Sequence, residues 1–340
     1  MSSKVGFGQL LKFTGCTILP CRFWLGALSS TSVKLLLSRP RGFCAGVERA
    51  IDTVKKALQL WGPPIYVRHE IVHNRHVVDE LKNLGAIFVE DLADVPKGAR
   101  VIYSAHGVPP SVRKEASQRH LIEIDATCGL VTKVHSAAKR YAEKGYQIIL
   151  IGHRNHVETI GTAGEAPDVT SVVESVEEIE RLTFPPDIKI AYLTQTTLSL
   201  SDVQEMAAAL LRKFPKIETL PSSSICYATT NRQMALGQIS MQADLVLVVG
   251  DPKSSNSNRL CEGAKRQGKR AFLINTAEQI EPQWLQGVLV IAMTAGASTP
   301  EAQVSACVER LKLLGVDGVE EVVFTEERIF FQLPKQVLVE

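Results

Sequence analysis

The sequence predicts an α/β protein of three units of similar size with mainly parallel sheets, each offering one cysteine towards a common centre. Three observations predict it. From Val33 onward, short apolar runs alternate with segments of helical period, the pattern of parallel α/β sheets. Turn residues such as Gly62-Pro63-Pro64 punctuate the alternation. Three isolated cysteines, Cys44, Cys128 and Cys226, recur 84 and 98 residues apart, each just before a helical pattern.

Val33 to Ser38 reads as a buried strand running into the loop Arg39-Pro40-Arg41-Gly42. Val47, Ala50, Ile51, Val54, Ala57 and Leu58 then recur at helical spacing up to Gly62. Further strands are predicted at 65–67, 86–89, 101–104, 121–125, 147–151, 170–173, 188–193, 245–249, 271–274 and 288–293. Helices are predicted at 131–143, 202–214, 232–242, 258–267 and 300–314. Cys44 and Cys128 follow a predicted strand, whereas the strand before Cys226 is poorly marked. The domains are drawn at 33–125 with Cys44, 126–222 with Cys128 and 223–319 with Cys226. Residues 320–340 read as an extended tail packed back on the body.

A chain of 340 residues exceeds one comfortable core. With 45% apolar and 22% charged residues and a net charge of +2, it has no signature of a nucleic-acid or membrane-surface binder. No apolar run reaches the roughly 18 residues of a membrane span. Seven cysteines without a C-x-x-C pair argue for a reducing compartment rather than a disulfide framework. Residues 1–32 hold Lys4, Lys12 and Arg22 but no acid; the first in the chain is Glu48. This segment reads as a loose extension, an upstream start or an organelle-targeting peptide. Arg22 interrupts its apolar stretch and argues against a secretory signal. Cytoplasm is the expected location, with an organelle the alternative if 1–32 is a targeting peptide.

Cys261 and Cys307 sit in helical patterns and read as small buried hydrophobes, and Cys16 and Cys21 need no role. The other three have distinctive neighbours: Pro-Arg-Gly-Phe-Cys44-Ala-Gly, Asp-Ala-Thr-Cys128-Gly-Leu-Val and Ile-Cys226-Tyr-Ala-Thr-Thr-Asn-Arg-Gln. A cysteine before a helix lies near backbone amides that favour its thiolate. Three thiolates could hold zinc or an iron–sulfur cluster. Structural zinc usually takes four ligands from local pairs, and none are present. Spacing alone does not decide.

Eight longer motifs carry a resemblance: 40–46, 66–75 (Tyr-Val-Arg-His-Glu-Ile-Val-His-Asn-Arg), 104–108, 125–134, 194–199, 225–233, 254–260 and 294–298. Over about residues 33–335 the chain resembles the 4-hydroxy-3-methylbut-2-enyl diphosphate reductase family, also called LytB. The resemblance implies three similar α/β domains with mainly parallel sheets, arranged in pseudo-three-fold fashion around a central iron–sulfur cluster. It implies one [4Fe-4S] cluster held by Cys44, Cys128 and Cys226, with one open iron site facing the substrate. The implied reaction replaces an allylic hydroxyl by hydrogen, giving isopentenyl and dimethylallyl diphosphate. The resemblance assigns His73, His106, His156, Thr196, Ser254, Ser255, Asn256 and Ser298 to substrate binding and Glu158 to proton supply. A strand followed by G-x-G-x-x-G is absent from the sequence, so electrons are expected from an external donor such as ferredoxin or flavodoxin.

Read locally, Ser254–Asn258 is a helix cap, and His69, His76, His120, His135 and His153 are structural or solvated. The chain departs from the family pattern at Val157 and Gly129, where proline is common, and at Ser222–Ser224. A non-redox iron–sulfur dehydratase and a cluster-based sensor share much of the same pattern.

Overall fold

The computed structural model describes residues 32–220 and 224–338. The expectations for residues 1–31, including Cys16 and Cys21, and for Ser222 and Ser223 lie outside the described residues. The first stretch gives β1 (Val33–Arg39), α1 (Ala45–Trp61), β2 (Ile65–Arg68), α2 (Arg75–Asn83), β3 (Ala86–Val89), β4 (Arg100–Tyr103), α3 (Pro110–Gln118) and β5 (Ile122–Asp125). The middle stretch gives α4 (Gly129–Glu143), β6 (Tyr146–Ile151), α5 (Val157–Ala163), β7 (Thr170–Val173), α6 (Val176–Arg181), β8 (Lys189–Thr194), α7 (Leu200–Lys213) and β9 (Glu218–Thr219). The last gives α8 (Tyr227–Ser240), β10 (Leu245–Val249), α9 (Ser255–Arg266), β11 (Arg270–Ile274), β12 (Val290–Ala295), α10 (Glu301–Leu313) and β13 (Val316–Val323).

Three parallel sheets result, ordered β3-β2-β4-β5, β7-β6-β8-β9 and β11-β10-β12-β1-β13. Strand β10 shows how helices enclose the third sheet. All five of its residues are buried, because helices cover both faces. Leu245, Leu247 and Val249 pack with Val304, Cys307 and Leu311 of α10. Val246 and Val248 face the other way, onto Leu236, Ile239, Leu260, Cys261 and Ala264 of α8 and α9. Cys261 and Cys307 are thus core residues, as their helical setting predicts.

Sheet membership and linear boundaries differ at both ends of the chain. β1 pairs with β12 and β13, so residues 33–39 belong to the sheet formed by strands of residues 245–323 rather than to that of residues 65–125. Residues 316–323 form an eight-residue edge strand, of which the sequence reading assigned the last part to a tail. Its side chains include Asp317, Glu320 and Glu321 and are largely exposed, so it lacks the apolar signal of an inner strand. Three helices also differ. α8 starts at Tyr227 and α9 at Ser255, because polar first turns capped by Cys226 and Ser254 look like loop. His156 and Glu158 lie not on a loop but at the start of α5, a seven-residue helix too short to show a period.

The topology positions the site. Cys44, His73, His106, Cys128, His156, Thr196, Cys226, Ser254 and Ser298 each follow the carboxyl end of a strand: β1, β2, β4, β5, β6, β8, β9, β10 and β12 respectively. Open parallel sheets present their ligand-binding loops at that end. Among the described residues, no helix is long and apolar enough to cross a membrane.

Candidate active site

One cavity has all twelve residues singled out from the sequence in its wall. Each cysteine is the N-cap of a helix: Cys44 of α1, Cys128 of α4 and Cys226 of α8. The Cys226 Sγ accepts a hydrogen bond from Thr229 N at 3.2 Å and lies 3.0 Å from Thr229 Oγ1. Gly46 makes room between two thiols, since a Cβ there would fall 2.5 Å from Cys128 Sγ and 3.9 Å from Cys44 Sγ. Burial, reinforced by the charge of Cys44, pushes the Cys128 thiol up to about 12 and the Cys226 thiol up to about 11. Thiols crowded and buried in this way ionise unfavourably unless a soft cationic centre takes their charge.

Opposite chemistry gathers in the histidines. The rings of His73 and His106 stack with centroids 4.2 Å apart, and His156 meets them edge-on at 5.4 and 5.9 Å. Burial and the neighbouring His73 hold His106 well below the usual imidazole range and push His156 down to about 3. Both are therefore neutral hydrogen-bonding groups at pH 7. The Nδ1 of His156 accepts from Glu158 N at 3.1 Å, which leaves its proton on Nε2. His73 Nδ1 lies 3.3 Å from Glu70 Oε2, and this contact, with Lys253, holds the Glu70 carboxyl down at about 2.

Glu158 is buried, 3% exposed, and fully engaged by one residue. Thr196 N donates to Oε1 at 2.6 Å and Thr196 Oγ1 donates to Oε2 at 3.0 Å. Burial pushes its carboxyl above the ordinary 4.5, while the two Thr196 bonds oppose that rise. Ser254 caps α9 through Ser257 N at 3.3 Å, so Ser255 and Asn256 fall in the first helical turn, where backbone N–H groups are free to bind an anion. Asn256 Oδ1 accepts from Ala297 N at 2.9 Å, and Ser298 Oγ donates to the His73 carbonyl at 2.9 Å.

Several residues that brace the site went unnoticed in the sequence. Arg232 is fully buried and donates to the carbonyls of Gly42 and Phe43, just before Cys44, and to Glu327 at 3.0 Å. Arg49 donates to the Thr127 carbonyl, just before Cys128, and to Gln332 O. Each arginine thus ties a cysteine loop to the C-terminal segment, and nothing in a single Arg announces that. Arg232→Met is expected to lower unfolding stability by about 3–5 kcal/mol, because Glu327 and two carbonyls lose their donor; urea titration measures this.

Both departures from proline have the same structural setting. Val157 and Gly129 are the first residues of α5 and α4, the position where proline is favoured but not required. Gly129 has a further use: a Cβ there would come within 3.0 Å of the Phe331 ring, which lines the cavity. Ser224 is buried without a hydrogen-bond partner for its hydroxyl among the described residues.

Three thiols at helix starts, a glycine that clears space between two of them, and a buried carboxyl beside three histidines define an α/β protein with a thiol-lined reaction chamber. The chain belongs to the LytB family, whose sequence model, described as LytB protein, matches residues 35–312. Curated relatives include the 4-hydroxy-3-methylbut-2-enyl diphosphate reductases of Protochlamydia amoebophila, 67% identical over 306 residues, and Chlamydia pneumoniae, 61% identical. The matches cover 90% and 89% of this chain and 98% of each relative. A solved structure of the Plasmodium falciparum E-1-hydroxy-2-methyl-but-2-enyl-4-diphosphate reductase matches with TM-score 0.89 and 48% identity over 90% of this chain and 97% of that one. A second, described as the terminal enzyme of the non-mevalonate pathway, matches with TM-score 0.60 and 30% identity, over 83% of this chain and 99% of that one.

Proposed function

We propose that this chain is an oxidoreductase that converts 4-hydroxy-3-methylbut-2-enyl diphosphate to isopentenyl and dimethylallyl diphosphate, the last step of the non-mevalonate route. The observation that carries the reading is the shared cavity wall, with three thiols, a hydrogen-bonded carboxyl and a hydroxyl- and amide-rich helix start around one space. The relatives' names give the same substrate. Cys44, Cys128 and Cys226 would hold one [4Fe-4S] cluster; the all-thiol donor set and the clearing at Gly46 fit such a bulky group. When bound, the cluster supplies electrons and, at an open iron, Lewis acidity. A separate donor such as ferredoxin or flavodoxin delivers those electrons, and cytoplasm is the location that the bacterial relatives suggest.

The chain's own residues bind, orient and supply protons. The Ser254 hydroxyl, the Asn256 amide and the first-turn N–H groups of α9 receive the diphosphate without a strong excess of positive charge, and the Ser255 and Ser298 hydroxyls join them by turning from the carbonyls of Thr197 and His73. Neutral His106, together with His73, completes that pocket, and His156 presents an Nε2 proton. Reductive loss of the hydroxyl takes up two electrons and two protons and releases water. Glu158, whose carboxyl is pushed up by burial, gives a proton to the departing hydroxyl from its protonated form, in which Oε2–H donates to Thr196 Oγ1, the reverse of the bond that the ionised carboxylate accepts.

The sign follows from the acid role. Turnover is highest while Glu158 is protonated and falls as pH rises through its raised pKa. A pH profile of kcat with a falling alkaline limb that Glu158→Asp displaces is the expected result. A second assay omits the reductant: product is expected only when reductant is present, and equal turnover without it would assign the chain to non-redox dehydration instead.

A further inference from the structure

His135 is a buried titratable side chain that the proposed reaction leaves unused. It projects from α4, the helix capped by Cys128, and is 9% exposed. Its Nδ1 lies 2.9 Å from Glu165 Oε1. Its Nε2 is sealed from solvent and has no hydrogen-bond partner among the described residues. Leaving a polar nitrogen unpaired costs stability, and an apolar side chain would fill the same space without that cost. The ring therefore has some use other than filling.

Its surroundings indicate one. The outer edge of the ring, Cε1 and Nε2, enters a slot walled by two glycines. A Cβ on Gly107 would lie 2.9 Å from Cε1 and 3.1 Å from Nε2; on Gly161 the same distances would be 3.1 and 3.2 Å. Gly107 directly follows His106, and Gly161 lies three residues after Glu158 on α5. One imidazole edge thus abuts the backbone of the loop carrying His106 and of the helix carrying Glu158. A helix of seven residues has little stiffness of its own, so packing sets its place.

We propose that His135, held by Glu165, is a positioning residue that fixes the separation of His106 and Glu158. It is not part of the cavity wall, so it acts through them. The inference rests on the reading of the cavity given above. Small displacements of reacting groups cost activity steeply, on the order of 100-fold for 1 Å.

A double-mutant cycle on the reconstituted holoenzyme tests it, with His135→Ala, Gly161→Ala and the pair. In the parent, the Gly161→Ala methyl presses on the ring and is expected to lower kcat/KM roughly tenfold; beside His135→Ala it enters the vacated slot and lowers nothing further. The binding of inorganic diphosphate, measured by calorimetry, should weaken in both single variants, and KM and kcat should both move because one ring sets both ends. A merely structural role would lower melting temperature and leave diphosphate binding unchanged. Additive effects in the cycle overturn the proposal. If His135→Ala does not fold, Glu165→Ala decides, since it frees the ring: unchanged diphosphate binding and unchanged kcat overturn the proposal, and losses in both support it. A parent enzyme that neither binds diphosphate nor turns over would instead overturn the reading of the cavity.

Discussion

Glu158→Gln is expected to lower kcat by roughly 100- to 10,000-fold, the range for loss of a positioned general acid, while iron and sulfide content stay at the parent level. The reasoning is local. Thr196 N and Oγ1 hold both carboxyl oxygens, and the glutamine amide has the same shape, so the first turn of α5 should stay in place. What is lost is the transferable proton. The alkaline fall in the pH profile should vanish with it, because that fall reports Glu158. KM should change little, since the diphosphate contacts lie on other strands' loops. Unchanged turnover in a cluster-loaded Glu158→Gln enzyme would remove the proton role.

The second large effect is expected at the cysteines. Cys44→Ser, Cys128→Ser or Cys226→Ser should each bring bound iron and sulfide to a small fraction of the parent and turnover below detection. The three thiols come from three separate strand-to-helix junctions, so among the described residues no neighbouring cysteine replaces a missing one: Cys261 and Cys307 are sealed in the core of the third sheet. Cys261→Ala and Cys307→Ala are the controls, and each should keep parent iron content. Elemental analysis of anaerobically purified protein measures all five. A cysteine-to-serine variant among the three that retains full iron would exclude that residue as a ligand.

The parts of this arrangement that the sequence made legible share a physical cause. β10 is five consecutive apolar residues because helices bury both of its faces, and that run is visible without a structure. Cys44 and Cys128 stand between an apolar strand and a periodic helix, so their placement at helix starts could be read directly. Nine further polar residues became visible only through long motifs, since a lone His106 or Ser254 has a plainer local use.

The rest depended on contacts that sequence does not encode locally. β13 is polar because it is an edge strand, and its pairing with β1, far away in the chain, is a tertiary fact. The helix start at Tyr227 was hidden by Thr229, Thr230 and Asn231, which look like loop until the Cys226 cap is seen. Arg232 has no signal of its own in the sequence, yet it is fully buried because the carbonyls of Gly42 and Phe43 converge on it. His135 reads as one structural histidine among several until the Gly107 and Gly161 backbones are seen to close around it.

The most direct test of the central claim is one anaerobic sample in which iron, sulfide, reductant consumed and product formed from 4-hydroxy-3-methylbut-2-enyl diphosphate are all counted. Four irons and four sulfides per chain are expected, with two electrons consumed for each isopentenyl or dimethylallyl diphosphate released. A fully loaded cluster with no reductant-dependent product, or product formed by a preparation without iron, would contradict that claim.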